Sequence, residues 1–562
     1  MTRNKLPGTG AVLLSLTLAL LPLTLFAHKG DERETDRPGA ENVVLGQISF
    51  PTTTRSKPAQ QAFVEGVLYL HLFEYPLARE KFRQARALDP GFAMAYWGEA
   101  MTYNHPIWDQ QQRRDALAVL NELGASPEAR QSMTPSQKEK DYLAALDLLY
   151  GDGPKAERDR AYMRHMQEMA ASYPRDDEVQ LFYALSILGV SEGVRDVPAY
   201  MRSAAISQRV FCANRKNPGA AHYLIHAVDD PVHAPLGLEA ARALASMAPD
   251  AGHAQHMASH IFLAAGMWDD VVAANQAAMR VVNRLAHNRG KPAMHWGHYN
   301  FWLLYGLLQQ GRFGAAADLL KTAYREAVAA GAVPDDTMDL DPDDSQLPSV
   351  VQMWARYMIE TGGRDRDIAA WTFDMKNAFD PTLTYRFVMA LDALNRGGLG
   401  QARAHLVVFE DYRGRLKTAV SAKDRQAPGD LQYLDRLSIM DLELQARIAY
   451  AEKDTERALT LVRNASELEG EMPASFGPPF VDLPSAELLG ELLLDAGRYA
   501  EAVDAFALQG ERTRQKSLPL LGLMRAEKAR GELQAAAHVR ARLAAIWKNA
   551  DAAVRGRLDN AR

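Results

Sequence analysis

Imidazole is the most abundant chemically versatile side chain in one stretch of this 562-residue chain. Nine of its fifteen histidines lie between His222 and His298, and His222 and His226 recur as His256 and His260, each 34 residues later. A spacing of four places two rings on one face of a helix. Imidazole nitrogen binds zinc, copper or nickel at about 2.0–2.1 Å. Adjacent helix axes lie about 8–10 Å apart, so a His-x-x-x-His pair from each of two neighbours can offer four nitrogens to one ion. His253 and His298 extend the row to six candidate ligands: His222, His226, His253, His256, His260 and His298. His233 and His295 stand nearby as outer partners, and Asp229 or Asp230 could orient a ligand ring through its second nitrogen. The same six rings also suit a plainer role, hydrogen bonding across stacked helices or recognising an acidic peptide. Met257 and Met267 are compatible with copper, although core packing explains Met257 equally well.

A second constellation is the pair Glu487 and Glu491, again four apart. Paired carboxylates can move protons or supply oxygen ligands, but acidic residues at this spacing are common on helices. The chain carries no G-x-S-x-G, H-E-x-x-H, Cys-x-x-Cys, phosphate-loop or dinucleotide motif, and no catalytic residue is assigned. Its single cysteine, Cys212, excludes intrachain disulfides and multi-thiolate zinc sites; following Val210 and Phe211, it is expected to be buried. The acidic run 333–348 lacks the central glycine and terminal glutamate of a calcium-binding helix–loop–helix, so it reads as a connector.

The elements that must position these groups are helical. Strand signals are scarce, and the length calls for several domains or an elongated array. A net charge of -6 without a basic stripe argues against a nucleic-acid partner. At the N-terminus, Arg3 and Lys5 precede an apolar run from Ala11 to Ala27, followed by a polar stretch. This pattern predicts a cleavable signal segment, 1–27, and a periplasmic or secreted protein, with an uncleaved anchor as the alternative. No other membrane segment is expected. Residues 28–58 read as a polar linker, and Thr134-Pro135 as the start of a helix with proline at its first position.

In AFVEGVLYLHLFEYPLAREKFRQARALDP, the residues Gly66, Tyr69, Ala78, Phe82, Ala85 and Pro90 fall at the offsets of the tetratricopeptide repeat (TPR). Gly266, Trp268 and Ala278 resemble the same pattern, as do Gly490, Gly497, Tyr499, Ala502 and Phe506. The chain resembles bacterial exported TPR proteins that carry the HYLIHAVDDPVHAPL and GHAQHMASHIFLAAGMWDD segments. The resemblance implies an all-α, TPR-like α-solenoid: a helical array at 59–215, His-rich repeats at 216–332, further repeats at 349–472, and C-terminal repeats with a cap at 473–562. It also implies that the first helix of each repeat lines a concave groove, which would place the six histidines, Phe301 and Tyr305 along it. The expected function is an exported binding protein whose groove takes a transition metal, a peptide or protein partner, or both. A metal-dependent hydrolase or oxidoreductase and an assembly scaffold with structural histidines are the alternatives.

Overall fold

The computed structural model describes residues 43–330, 346–375, 378–423 and 425–560. Apart from a two-residue antiparallel bridge of Asn104–His105 with Gln110–Gln111, the regular structure of these residues is helical. Each helix packs chiefly on the next in sequence, as antiparallel pairs in a repeat array do. One joint recurs at both ends of the chain. Phe82 wedges between Gly66 and Gly98, and Phe506 between Gly490 and Gly522; an added Cβ on any of these glycines would collide with the ring. The small residue lets two helices approach, and the aromatic ring fills the space left by the third.

Three helix pairs carry the histidines. Pro218–Val228 begins at Asn217, whose side chain accepts from the Ala220 N–H, with proline at the first turn. It pairs with Ala234–Met247. Gly252–Ala264 turns at Gly266 (φ +73°) into Trp268–Asn288, and His298–Gln309 turns at Gly311 (φ +67°) into Phe313–Ala330. The second of these repeats is lengthened by its 21-residue second helix, followed by an irregular crossing over residues 289–297.

Several expectations change. Residues 43–56 form no free linker: Leu45 and Phe50 are buried, and Phe50 packs edge-on to Phe63 at 5.1 Å. The helix expected at Thr134-Pro135 begins at Gln137, because Ser136 caps it by accepting from the Glu139 N–H. Cys212 is exposed. On the Val197–Ala213 helix, Ser207, Val210 and Phe211 occupy the inner face, and the next position turns outward. Gln346, Leu347 and Pro348 belong to the Gln346–Thr361 helix rather than to the acidic connector. The rest of that connector and the signal segment lie outside the described residues.

Candidate metal centre

The six candidate histidines converge, but in threes. His222, His226 and His253 form one cluster, and His256, His260 and His298 another; within each, one nitrogen per ring lies within 4.8 Å of the others. Each triad takes a His-x-x-x-His pair from one first helix and a single histidine from the next. His253 follows His222 by 31 residues, and His298 follows His256 by 42. The difference of 11 equals the excess of the Gly266-to-Gly311 spacing, 45, over the 34-residue period. The triads are therefore the same motif built twice, one repeat apart. In the third first helix Phe301 and Tyr305 occupy the paired places, and the histidine row stops there.

The hydrogen bonds around the rings fix which nitrogen faces inward. Nδ1 of His222 donates to the His71 carbonyl at 2.6 Å. Nδ1 of His260 donates to Asp229 Oδ2 at 2.5 Å, the ring-orienting role expected of that residue. The Asn275 amide donates to the Val271 carbonyl, which turns its oxygen toward His256 Nδ1 at 2.7 Å. A neutral imidazole has one N–H. With both Nδ1 atoms protonated, the Nε2 atoms of His256 and His260 confront each other lone pair to lone pair at 3.0 Å. In the first triad, Nε2 of His222 and of His226 is buried and meets no hydrogen-bond partner among the described residues.

Burial sets the protonation. All six rings are between 0 and 6 % exposed. Burial pushes His222 down to about 3, assisted by the neighbouring His260 and His71 and opposed by the His71 carbonyl. His226 is held well below the usual histidine range by burial, then by His222, His260 and Arg195. His222 and His226 are therefore held neutral at pH 7, the form that binds metal.

The expected open groove is filled at this place. Phe73 lies 4.4 Å from His222 and 5.6 Å from His226, ring centre to ring centre, and Trp108 lies 6.1 Å from His253. Trp302 covers His260 at 4.4 Å and Phe476 at 5.5 Å. Phe476 belongs to the irregular segment between Glu471 and Ser485, which two buried arginines strap down. Arg356 donates to the carbonyls of Pro479 and Asp482, and Arg436 to that of Phe480 and to the Asp482 carboxylate. Gly477 (φ +84°) lets the strap lie against Trp302. Aromatic walls from three distant parts of the chain thus close the row, and the six histidines are not available to a peptide lying in a groove.

The other candidates take different places. Asp230 pairs with Arg195 and with His233 at 2.8 Å each, so His233 stands at a helix start beside the centre. His295 pairs with Glu326 at 2.5 Å. Tyr305 is buried against Trp268 and Arg356. Glu487 and Glu491 line a separate pocket of about 230 Å³ with Arg447 and Arg557. There, buried Lys516 bridges Glu360 and Glu487 at 2.9 Å each, and burial pushes Glu487 up to about 7 against the pull of Lys516. The aromatic walls and the grouping in threes went unread in the sequence; applying the 11-residue insertion to the histidine positions would have revealed the second.

The stacked pairs, the glycine–phenylalanine joints and the period define an all-α helical-repeat protein of TPR type. No protein-family model matches the chain, and no curated protein matches it. Among solved structures it is similar to the Cut9–Hcn1 hetero-tetramer of the APC/C (11 % identity, 90 % of this chain and 76 % of that one, TM-score 0.33). It is also similar to human IFIT1 in a dimer with m7Gppp-AAAA (13 %, 87 % and 99 %, 0.34) and to yeast Tom70 (11 %, 88 % and 93 %, 0.26).

Proposed function

We propose that this protein is an exported helical-repeat protein that binds transition-metal ions, one in each histidine triad. The observation that carries the reading is the 3.0 Å approach of His256 Nε2 to His260 Nε2 with both Nδ1 atoms committed as donors. Two lone pairs at that distance repel unless a cation lies between them. Metal bonds of about 2.0–2.1 Å to nitrogens so placed subtend roughly 95°, nearer the right angle of tetragonal copper or nickel than the tetrahedral angle of zinc. The neutral state of His222 and His226, and their inward-facing Nε2 atoms, support the same use of the first triad.

A second reading has its own support. Asp229, 2.5 Å from His260, stabilises an imidazolium, and a proton held between the two Nε2 atoms would make the cluster purely structural. Metal analysis of tag-free protein separates the two. Exposure to copper, nickel or zinc followed by desalting should leave two equivalents bound; retention well below one equivalent ends the metal reading and leaves the shared proton.

Export rests on the charged, apolar and polar succession of the first thirty residues, and cell fractionation with N-terminal sequencing tests it. A peptide or protein partner remains the natural use of the outer repeat surfaces, and the buried centre gives no support to a nucleic-acid ligand. Whether the metal serves hydrolysis, redox chemistry or storage turns on an open coordination position, which spectroscopy of the loaded protein reads directly.

A further inference from the structure

We infer that the two triads work as one dinuclear centre that takes a small anion with two donor atoms, of the carboxylate or oxyanion class, bridging the ions and entering beside Arg195 and Phe476. This rests on the metal reading above and adds to it a ligand and a route.

Repeat equivalence gives the spacing. His226 and His260 hold the same place in successive repeats, and their ring centres are 5.9 Å apart. His253 of the first triad and His256 of the second are not repeat equivalents, but they show the triads approaching to 6.1 Å at the other side of the centre. Ions held equivalently are offset by a similar length. That exceeds the separation of about 3.5–4 Å spanned by a single bridging oxygen, and suits a three-atom bridge with a donor at each end.

Charge balance requires such a ligand. Two dications would enter a buried, aromatic-walled space whose candidate ligands are all imidazoles, none of which can carry negative charge to offset them. Two carboxylates touch the histidines: Asp229, on the His260 ring, and Glu74, which accepts from the backbone N–H of His253 at 2.9 Å. Asp230 is already matched by Arg195. Even with Asp229 and Glu74 both ionised, about two positive charges stay uncompensated, a costly state in a low-dielectric interior. An anion from solvent removes that cost.

The route is built. A cavity lined by Ile107, Arg195, Tyr200, Gln432 and Phe476 adjoins the rings, since Phe476 touches His260 and Arg195 donates to the Ala227 carbonyl beside His226. Two polar atoms there are buried and meet no hydrogen-bond partner among the described residues: Nε of Arg195, a donor, and Oε1 of Gln432, an acceptor. The guanidinium is paired with Asp230 through a terminal nitrogen, and its free Nε is the donor that an entering anion would meet.

The test loads full-length, tag-free protein with two equivalents of copper(II) and titrates sodium azide as a three-atom anion. The expected result is saturation at one azide per two coppers, with the copper EPR signals of both sites changing together. In His298→Ala, with the second triad emptied and one copper retained, azide binding should weaken by roughly 100-fold, the loss of one of two anchors. In Arg195→Lys, which keeps the pair with Asp230 but removes Nε, it should weaken with copper stoichiometry unchanged. Independent binding of one azide to each copper, equal affinity in His298→Ala, or no azide binding at all would overturn the inference. Failure to hold two coppers is read before azide is added and ends the metal reading itself.

Discussion

The two triads are one motif in two settings. Both take a His-x-x-x-His pair and a histidine from the following repeat, yet the groups behind the rings differ. In the first, His222 leans on a backbone carbonyl and His253 meets the Tyr299 hydroxyl at 3.2 Å. In the second, His260 leans on the Asp229 carboxylate and His256 on the Asn275 amide. A carboxylate behind an imidazole raises its basicity as a ligand. The repeat therefore dictates where the rings stand, whereas the packed neighbours dictate what lies behind each one; under the metal reading proposed above, the second triad would be the tighter site.

The sharpest way to break this comparison is His256→Ala. It should remove the second ion outright and leave one equivalent in the first triad, read by metal analysis; two retained equivalents would show that His256 is no ligand. Asp229→Asn should lower affinity at the second triad alone by about 10- to 100-fold, bringing the two sites closer to equal in a competition titration with a chelator. Acidity acts first on the other side. His222 is held at about 3 against an ordinary value near 6.5, so between these values the unfolded chain binds the extra proton. Its stabilising contribution is complete above pH 6.5 and is lost as pH falls toward 3, by up to about 1.4 kcal/mol per pH unit. Urea unfolding of metal-free protein at pH 7.5, 5.5 and 4.5 measures it, and a flat profile would contradict the buried neutral state. The smallest effect is Gly219→Ala. Its Cβ would meet His71 Nδ1 at 2.6 Å, and displacing His71 should cost about 1–3 kcal/mol and weaken the first site but not the second.

The repeat architecture was legible because its physics is local: Phe82, Gly66 and the period are sufficient to require stacked helix pairs. The convergence of the six candidate histidines was legible for the same reason, as residues at fixed offsets on three first helices. Their grouping was legible only by a further step, carrying the 45-residue Gly266-to-Gly311 spacing over to His298, and Gly219 adds what no offset shows: room for His71 where the next two repeats place His253 and His298. The walls were illegible for a further reason. Phe73, Trp108 and Phe476 reach the centre from segments that no local pattern joins, and Phe476 arrives only through the arginine-held strap. Glu487 and Glu491 show the converse, a shared helix position that leads to a different pocket because Lys516 and Glu360 claim it.

The strap has a consequence for how the protein is made. A repeat array can form pair by pair as each helix meets its neighbour, so both triads can assemble once the chain has passed His298. Phe476, Arg436 and Asp482 come much later in synthesis. Until they settle, His260 and its neighbours lack the aromatic wall that Phe476 supplies, and afterwards the centre is closed on that side. Folding of the last third is thus the step that seals a histidine centre assembled by the earlier repeats.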